Sequence, residues 1–305
     1  MVTIKQLQTE ELFGPGQRTC AGCGASIIAR ITLKSLKRPV IVINSTGCLE
    51  VATTIFPNTA WHVPWVHGLF ENASAIASGI EAYLKSANGG LEADIIVFGG
   101  DGGTFDIGLQ ALSGALERRH DFVYICYDNE AYMNTGIQRS SATPEGAWTT
   151  TTPVGKASPG KSGEKKDLIA FALAHHVDYV ATASIAYWGD YITKVQKAAE
   201  IRGPALIHVI SPCPLGWRFK TEQTIQLAKL AVQSHYFPLY EVERGRYKLN
   251  MNPHQYPLDD FLKMQGRFSH LFLPENAQEL KTLKDQVDQH WMRIQELCQG
   301  KQPGW

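Results

Sequence analysis

The chain holds 305 residues, 44% hydrophobic and only 19% charged, enough apolar material for a large buried core and far from a disordered composition. Twenty-nine Lys and Arg against 29 Asp and Glu leave a formal net charge of zero, so the basic footprint that a nucleic-acid backbone demands is missing. No apolar run approaches the roughly 18 to 20 residues that span a bilayer, and the start, MVTIKQLQTEELF, is acidic where a secretory leader is cationic; a cytoplasmic protein without a membrane partner is expected. In that compartment six cysteines are read for metal or redox chemistry before disulfides. Low charge together with seven Trp suggests surface buried against other subunits.

In chain order, Cys20 and Cys23 form a Cys-X-X-Cys pair ahead of a helical pattern at 25–36. A β-rich run at 40–43 leads to Cys48, and a Trp-rich stretch with His62 and His67 leads to a helix at 73–85. A strand at 95–98 runs into the turn Gly-Gly-Asp-Gly-Gly and a helix at 106–118; a strand at 122–127 comes next and contains Cys126, read as a core thiol. The segment 142–163, rich in Thr, Pro, Gly and Ser, reads as a long functional or mobile loop near the carboxyl edge of the sheet. A helix at 166–175, a strand at 179–181, a helix at 187–201 and a strand at 206–210 bring the chain to Cys213. This alternation predicts an α/β fold, a parallel sheet with helices on both faces. Residues 1–237 are expected to form that domain, and 238–305 a polar C-terminal arm or subunit-docking extension with an amphipathic helix at 277–297 and an incidental Cys298.

The Gly-rich turn after the 95–98 strand offers backbone N–H groups and a helix start to a phosphate, although such glycines also serve a plain tight turn. The next strand ends in Asp128-Asn-Glu-Ala-Tyr-Met-Asn-Thr-Gly136, which should lie beside it. A hard cation wants oxygen ligands, and Asp101, the Asn129 amide and a main-chain carbonyl would supply them. A GDG turn followed one strand later by Asn is similar to the thiamine diphosphate signature. Cys20, Cys23, Cys48 and Cys213 all stand beside strand ends or helix starts, and four thiolates can hold a [4Fe–4S] cluster or a structural zinc.

With both features, the chain resembles the β subunits of the 2-oxoacid:ferredoxin oxidoreductases, most closely the pyruvate type. The resemblance runs over about 14–217 and rests on RTCAGCGA, STGCLEVATT, TAWHVPWVHGLFENA, GDGGTFDIGLQALSGALERRHD, YDNEAYMNTGIQRSSATPEGAWTTTTPVGK and SPCPLGW. It implies a thiamine diphosphate-binding fold and oxidation of a 2-oxo acid with coenzyme A to acyl-CoA and carbon dioxide, electrons passing through a [4Fe–4S] cluster to ferredoxin. By motif, Cys20, Cys23, Cys48 and Cys213 would ligate the cluster, and Asp101, Asn129 and the Ala131 carbonyl would hold magnesium. Gly100, Gly102 and Gly103 would line the diphosphate, with Asn134 and Thr135 near the cofactor ring or substrate. The family's activating carboxylate comes from a neighbouring subunit in a hetero-oligomer, so this chain alone should be inactive.

One departure bears on substrate. The family pattern has Pro-Tyr-Pro-Tyr-Thr-Ala-Trp where this chain has Ile55-Phe-Pro-Asn-Thr-Ala-Trp61, so Ile55 and Asn58 would reshape the site for phenylglyoxylate, oxalate or a branched acid, or else only repack a subunit contact. His62 and His67 read as packed loop histidines, and Lys156 and Lys161 as exposed lysines that would steer coenzyme A at most. The competing readings are a non-redox thiamine enzyme with zinc in the thiol site, and a subunit that kept the fold but lost catalysis. The intact Asp101, Asn129 and four cysteines speak against the last.

Overall fold

Runs of Val, Ile and Phe without polar alternation cannot leave either face of a strand in water, so they form a sheet covered on both sides. The computed structural model describes residues 7–87, 92–156 and 158–301; the first six residues of the amino-terminal segment MVTIKQLQTEELF lie outside these. The elements in order are α1 (Gly24–Ser35), β1 (Val40–Ser45), α2 (Cys48–Thr53), β2 (Trp65–Gly68), α3 (Ala73–Ser86), β3 (Asp94–Gly100), α4 (Leu109–Glu117) and β4 (Val123–Asp128). Then come β5 (Val154–Gly155), β6 (Ser158–Pro159), α5 (Leu168–Ala174), β7 (Tyr179–Ser184), α6 (Trp188–Glu200), β8 (Ala205–Ile210) and α7 (Pro214–Trp217). The chain closes with α8 (Thr224–Gln233), β9 (Tyr240–Glu243), β10 (Arg246–Leu249), α9 (Leu258–Lys263) and α10 (Ala277–Cys298).

The main sheet has the order β10-β9-β7-β8-β4-β3-β1-β2. Its six strands from β7 to β2 run parallel, while β9 pairs antiparallel with β7 and β10 with β9. Side chains alternate between two cores. Val42, Ile96, Phe98 and Ile125 pack with Ile28 and Leu33 of α1 and Tyr191 and Val195 of α6. Ile43, Ile95 and Val97 pack with Ala77 of α3, Leu112 and Leu116 of α4, Ile169 of α5 and Ile294 of α10. This is the parallel α/β architecture with helices on both faces that the alternation predicts. A third core gathers Trp217, Leu227, Phe261, Phe268 and Leu283 under the last third of the chain.

Two segments differ from the sequence reading. Residues 240–249, inside the expected arm, add the two antiparallel strands to the same sheet, and α10 buries Leu283, Val287, Trp291 and Ile294. The 142–163 segment is folded back on itself: Gly146 N–H donates to Lys161 O at 2.7 Å, β5 pairs with β6, and Ala142, Thr143, Ala147 and Thr149 are buried. Ala157 of that segment lies outside the described residues.

The topology fixes where chemistry can sit. β1, β3, β4 and β8 are neighbours and parallel, so their carboxyl ends share one edge, the usual ligand side of such sheets. Just beyond the ends of these four strands the chain places Cys48, Asp101, Asn129 and Cys213, one after each strand in that order.

Candidate cofactor and metal site

β3 ends at Gly100, and after Asp101 the chain makes a single π-helical turn, Gly102–Asp106, closed by Ile107 N–H to Gly102 O. A Cβ built on Gly102 would stand 2.3 Å from the Tyr132 ring, and one on Gly103 3.2 Å from the Phe70 carbonyl. The ring is anchored, because the Tyr132 hydroxyl donates to Asp106 Oδ2 at 3.1 Å and to Gly102 O at 3.3 Å. Both glycines are buried, and each makes room for the neighbouring ring or main chain. Gly102→Ala should therefore push the Tyr132 ring aside and lower the melting temperature by about 2 to 4 °C, read by thermal denaturation.

The Asp101 carboxylate is buried, accepting from Ser140 Oγ at 2.5 Å and Asn129 N–H at 3.3 Å. The end of the Asn129 amide lies 2.7 Å from Ala131 O and 3.0 Å from Asp101 Oδ1. With its nitrogen turned inward the amide donates to both; with its oxygen turned inward three acceptors converge and need a cation between them. A divalent cation turns that repulsion into coordination. Adjacent oxygens around magnesium, at bonds of about 2.1 Å, stand about 3 Å apart. The donor set fits the ion.

The charges agree with this. Burial and the neighbouring Asp128 charge push the Asp101 carboxyl well above the usual range. Asp128 is the reverse case: burial alone would raise it, but the Lys165 ammonium and then His208 hold it down at about 2. Lys165 Nζ lies 2.5 Å from Asp128 Oδ2, and His208 Nε2 lies 2.7 Å from the same oxygen. Of two adjacent buried carboxylates, one has its cation. Among the described residues, no basic side chain pairs with Asp101.

Gly100, Asp101, Gly102, Gly103, Asn129, Ala131, Asn134 and Thr135 all line one open cavity, together with Cys48, Tyr127 and Met133. Asn134 and Thr135 are exposed at its margin, and Thr135 Oγ1 is spent on Gln138 Oε1 at 2.5 Å.

The four cysteines meet at the same edge. Cys23 caps the start of α1, Cys213 the start of α7, and Cys48 opens α2. The Cys20–Cys23 loop lies against the chain after β8: Thr224 Oγ1 donates to Gly22 O at 2.7 Å, and a Cβ on Gly24 would meet Ser211 at 2.8 Å. Backbone N–H groups of Ser26 and Ala25 face Cys23, and that of Gly216 reaches Cys213 Sγ at 3.4 Å. Burial, then the charges of Cys213, Cys23 and Cys20, pushes the Cys48 thiol up to about 12; burial, then Cys23 and Cys20, pushes Cys213 up to about 11. Cys20 is exposed and Cys23, Cys48 and Cys213 are half-buried, and thiols raised in this way suit deprotonation by a metal rather than by water. Among the described residues, no three or more His, Cys, Asp or Glu are grouped closely enough to hold a metal ion.

Other candidates fall elsewhere. Ile55 and Asn58 sit on the exposed turn after α2 and do not line the cavity within this chain. Lys161 is not an exposed lysine: it is 2% exposed, with Nζ donating to Gly163 O and Glu164 O. Lys156 is exposed. His62 Nδ1 is partnered with Glu11 O at 2.8 Å, away from the cavity, whereas His67 Nε2 lies 2.7 Å from the hydroxyl of Thr46, a cavity residue. Sequence reasoning missed Ser140, Glu130 and Lys165, whose signal is only proximity to a motif.

Residues 45–209 match the family described as thiamine pyrophosphate enzyme, C-terminal TPP binding domain. Pyruvate synthase subunit PorB of Methanocaldococcus jannaschii is 52% identical over 275 residues, covering 88% of this chain and 92% of that one. The chain belongs to the β-subunit family of the 2-oxoacid:ferredoxin oxidoreductases. Other members are pyruvate synthase subunit PorB of Pyrococcus furiosus, 44% identical with 93% of this chain and 94% of that one covered, and ketoisovalerate oxidoreductase subunit VorB of Pyrococcus abyssi, 46% identical with 96% and 95% covered. A solved 2-oxoglutarate:ferredoxin oxidoreductase from Magnetococcus marinus has the same fold, with a TM-score of 0.58 at 20% identity over 73% of this chain and 82% of that one. The matched span 45–209 contains Cys48 and every cavity residue, while Cys20, Cys23 and Cys213 flank it.

Proposed function

We propose that this chain is the cofactor-bearing subunit of a CoA-acylating pyruvate oxidoreductase, with magnesium and thiamine diphosphate in the Asp101 cavity and a [4Fe–4S] cluster on Cys20, Cys23, Cys48 and Cys213. The observation that carries the reading is the three-oxygen set of Asp101, Asn129 and Ala131 on the same sheet edge as the four thiols. When bound, the thiazolium ring accepts the electron pair left by decarboxylation and the cluster removes electrons one at a time.

The chain's own residues prepare this. Asp101, Asn129 and the Ala131 carbonyl neutralise and orient the diphosphate through the metal, and the glycines at 100, 102 and 103 let it reach the main chain. Buried Tyr127 and half-buried Phe70 line the cavity and help keep bulk water from the reacting carbon. Asn134 and Thr135 stand at the mouth, where a 2-oxo acid enters. Cys48 lines the cavity itself and gives a short path from the cofactor to the thiol group.

Partner subunits complete the site. Phe56 is 94% exposed, and Leu69 and Leu215, adjacent in sequence to the cavity residue Phe70 and close to Cys213, are also exposed, an apolar surface suited to a permanent neighbour. That neighbour supplies the carboxylate that activates the cofactor, and ferredoxin or an equivalent carrier takes the electrons. No helix among the described residues is long and apolar enough to cross a membrane, in keeping with a cytoplasmic complex.

A branched-chain 2-oxo acid is the second reading, because VorB at 46% identity stands above one of the PorB relatives at 44%. Viologen reduction by the complete complex, purified without oxygen and supplied with coenzyme A, decides between them. Pyruvate is expected to be turned over at least about tenfold faster than 2-oxoisovalerate, 2-oxoglutarate, phenylglyoxylate or oxalate, the discrimination that one or two methylenes of difference allow. Preference for 2-oxoisovalerate would establish the second reading, and silence on all five would refute both.

A further inference from the structure

The strip that carries the proposed metal ligands Asn129 and Ala131 is not held by the sheet alone. Glu130, between them, has a left-handed backbone (φ 67°) and a fully buried carboxylate. That carboxylate accepts from Arg267 Nη2 at 2.6 Å, Tyr236 Oη at 2.7 Å and Lys165 Nζ at 3.0 Å. The Asn129 carbonyl, pointing the other way from its amide, accepts from Trp217 Nε1 at 2.7 Å. Trp217 is fully buried, closes the one-turn helix α7, and donates its main-chain N–H to Cys213 O at 2.9 Å. Arg267 lies over the Trp217 ring, 4.0 Å from guanidinium carbon to centroid, and its Nε donates to Gln265 Oε1 at 2.9 Å.

We propose that Trp217, held by Arg267, is a positioning residue that ties the metal-side residue Asn129 to the cluster-side residue Cys213. The inference rests on the function proposed above and adds to it a named connection between the two cofactor sites. A buried indole N–H on the Asn129 carbonyl sets the rotation of that peptide and hence the aim of the Asn129 amide and the Ala131 carbonyl. Its main chain, one helical turn long, sets Cys213. A planar cation on the indole face leaves the ring one orientation, and the same cation holds Glu130. Arg267 belongs to the part of the chain with no catalytic motif. It acts through two residues and touches neither site.

The test uses the complete complex purified without oxygen. Trp217→Phe keeps the packing and removes only the N–H; Arg267→Lys keeps the charge and removes the guanidinium. Tyr191→Phe, which deletes a buried hydroxyl contact of 2.6 Å to Thr32 in the other core, is the structural control. Magnesium thiamine diphosphate is titrated calorimetrically, and the cluster is followed by iron content and by the electron paramagnetic resonance spectrum after dithionite reduction. Trp217→Phe is expected to weaken cofactor binding by about tenfold and to shift the cluster spectrum with iron content unchanged, as loss of one buried hydrogen bond would do. Arg267→Lys should shift both in the same direction by about threefold in affinity, and Tyr191→Phe should shift neither. Wild-type affinity and spectrum in Trp217→Phe would overturn the connection alone, and if that variant fails to fold, the same result in Arg267→Lys would do so. A wild-type complex that binds no cofactor and holds no iron would overturn the functional reading and this inference with it.

Discussion

Asp101→Asn should leave a folded complex that binds magnesium thiamine diphosphate at least about a hundredfold more weakly and retains under about 1% of turnover, because a hard cation loses its one anionic protein ligand. The substitution isolates charge from shape. An amide oxygen can still accept from Ser140 Oγ and Asn129 N–H, the two partners the carboxylate has now. The protein without cofactor should not melt lower than wild type. Burial and the Asp128 charge disfavour an ionised Asp101 when no cation faces it, so the neutral side chain relieves a burden. Cofactor-dependent stabilisation should vanish instead, since a ligand raises the melting temperature only of the state that binds it. Wild-type affinity in this variant would remove Asp101 from the metal site.

Cys213→Ser should separate the two sites in the opposite sense. The serine hydroxyl can cap α7 as the thiol does, so the turn that carries Trp217 stays in place and cofactor affinity should remain within about threefold of wild type. Its weak affinity for iron should cost the cluster, read as iron and sulfide content below about half of wild type. Acceptor reduction should then fall by about a hundredfold or more, because electrons leaving the cofactor have no nearby acceptor. Full viologen reduction by a Cys213→Ser complex would show that the thiol site is structural, as zinc would make it.

The parts of this protein legible in its sequence were those where the chain must satisfy a local constraint. Uninterrupted apolar runs marked β1, β3, β4 and β8 to within about two residues, and Asp101 and Asn129 were found because neighbouring parallel strands put their ends side by side. β2 was missed since Trp65, His67 and Gly68 read as loop chemistry; only pairing with β1 makes the segment a strand. The β9–β10 hairpin looked polar because it is an edge, with Tyr240 and Val242 buried but Arg246 and Lys248 in water.

Charge misled most. Lys161 read as an exposed lysine, and Glu130, Lys165 and Arg267 drew no reading, since residues of these types are ordinarily solvated. Each is paired or capped inside the fold by partners distant in the chain or, for Lys161, by the carbonyls of its own loop. Sequence spacing carries no trace of the 137-residue separation between Glu130 and Arg267. Ile55 and Asn58 stand near Cys48 in sequence but outside the cavity lining, because α2 carries the chain out to the surface before it reaches them.

The central claim is that the Asp101 cavity and the four-cysteine site form one electron path. It is tested most directly by mixing the anaerobically purified, oxidised complex with pyruvate and freezing within a turnover for electron paramagnetic resonance. The account predicts a reduced [4Fe–4S] signal that requires both pyruvate and thiamine diphosphate and is absent from Cys213→Ser. Rapid pyruvate decarboxylation with no such signal, from a complex whose thiol site holds zinc and no iron, would contradict it.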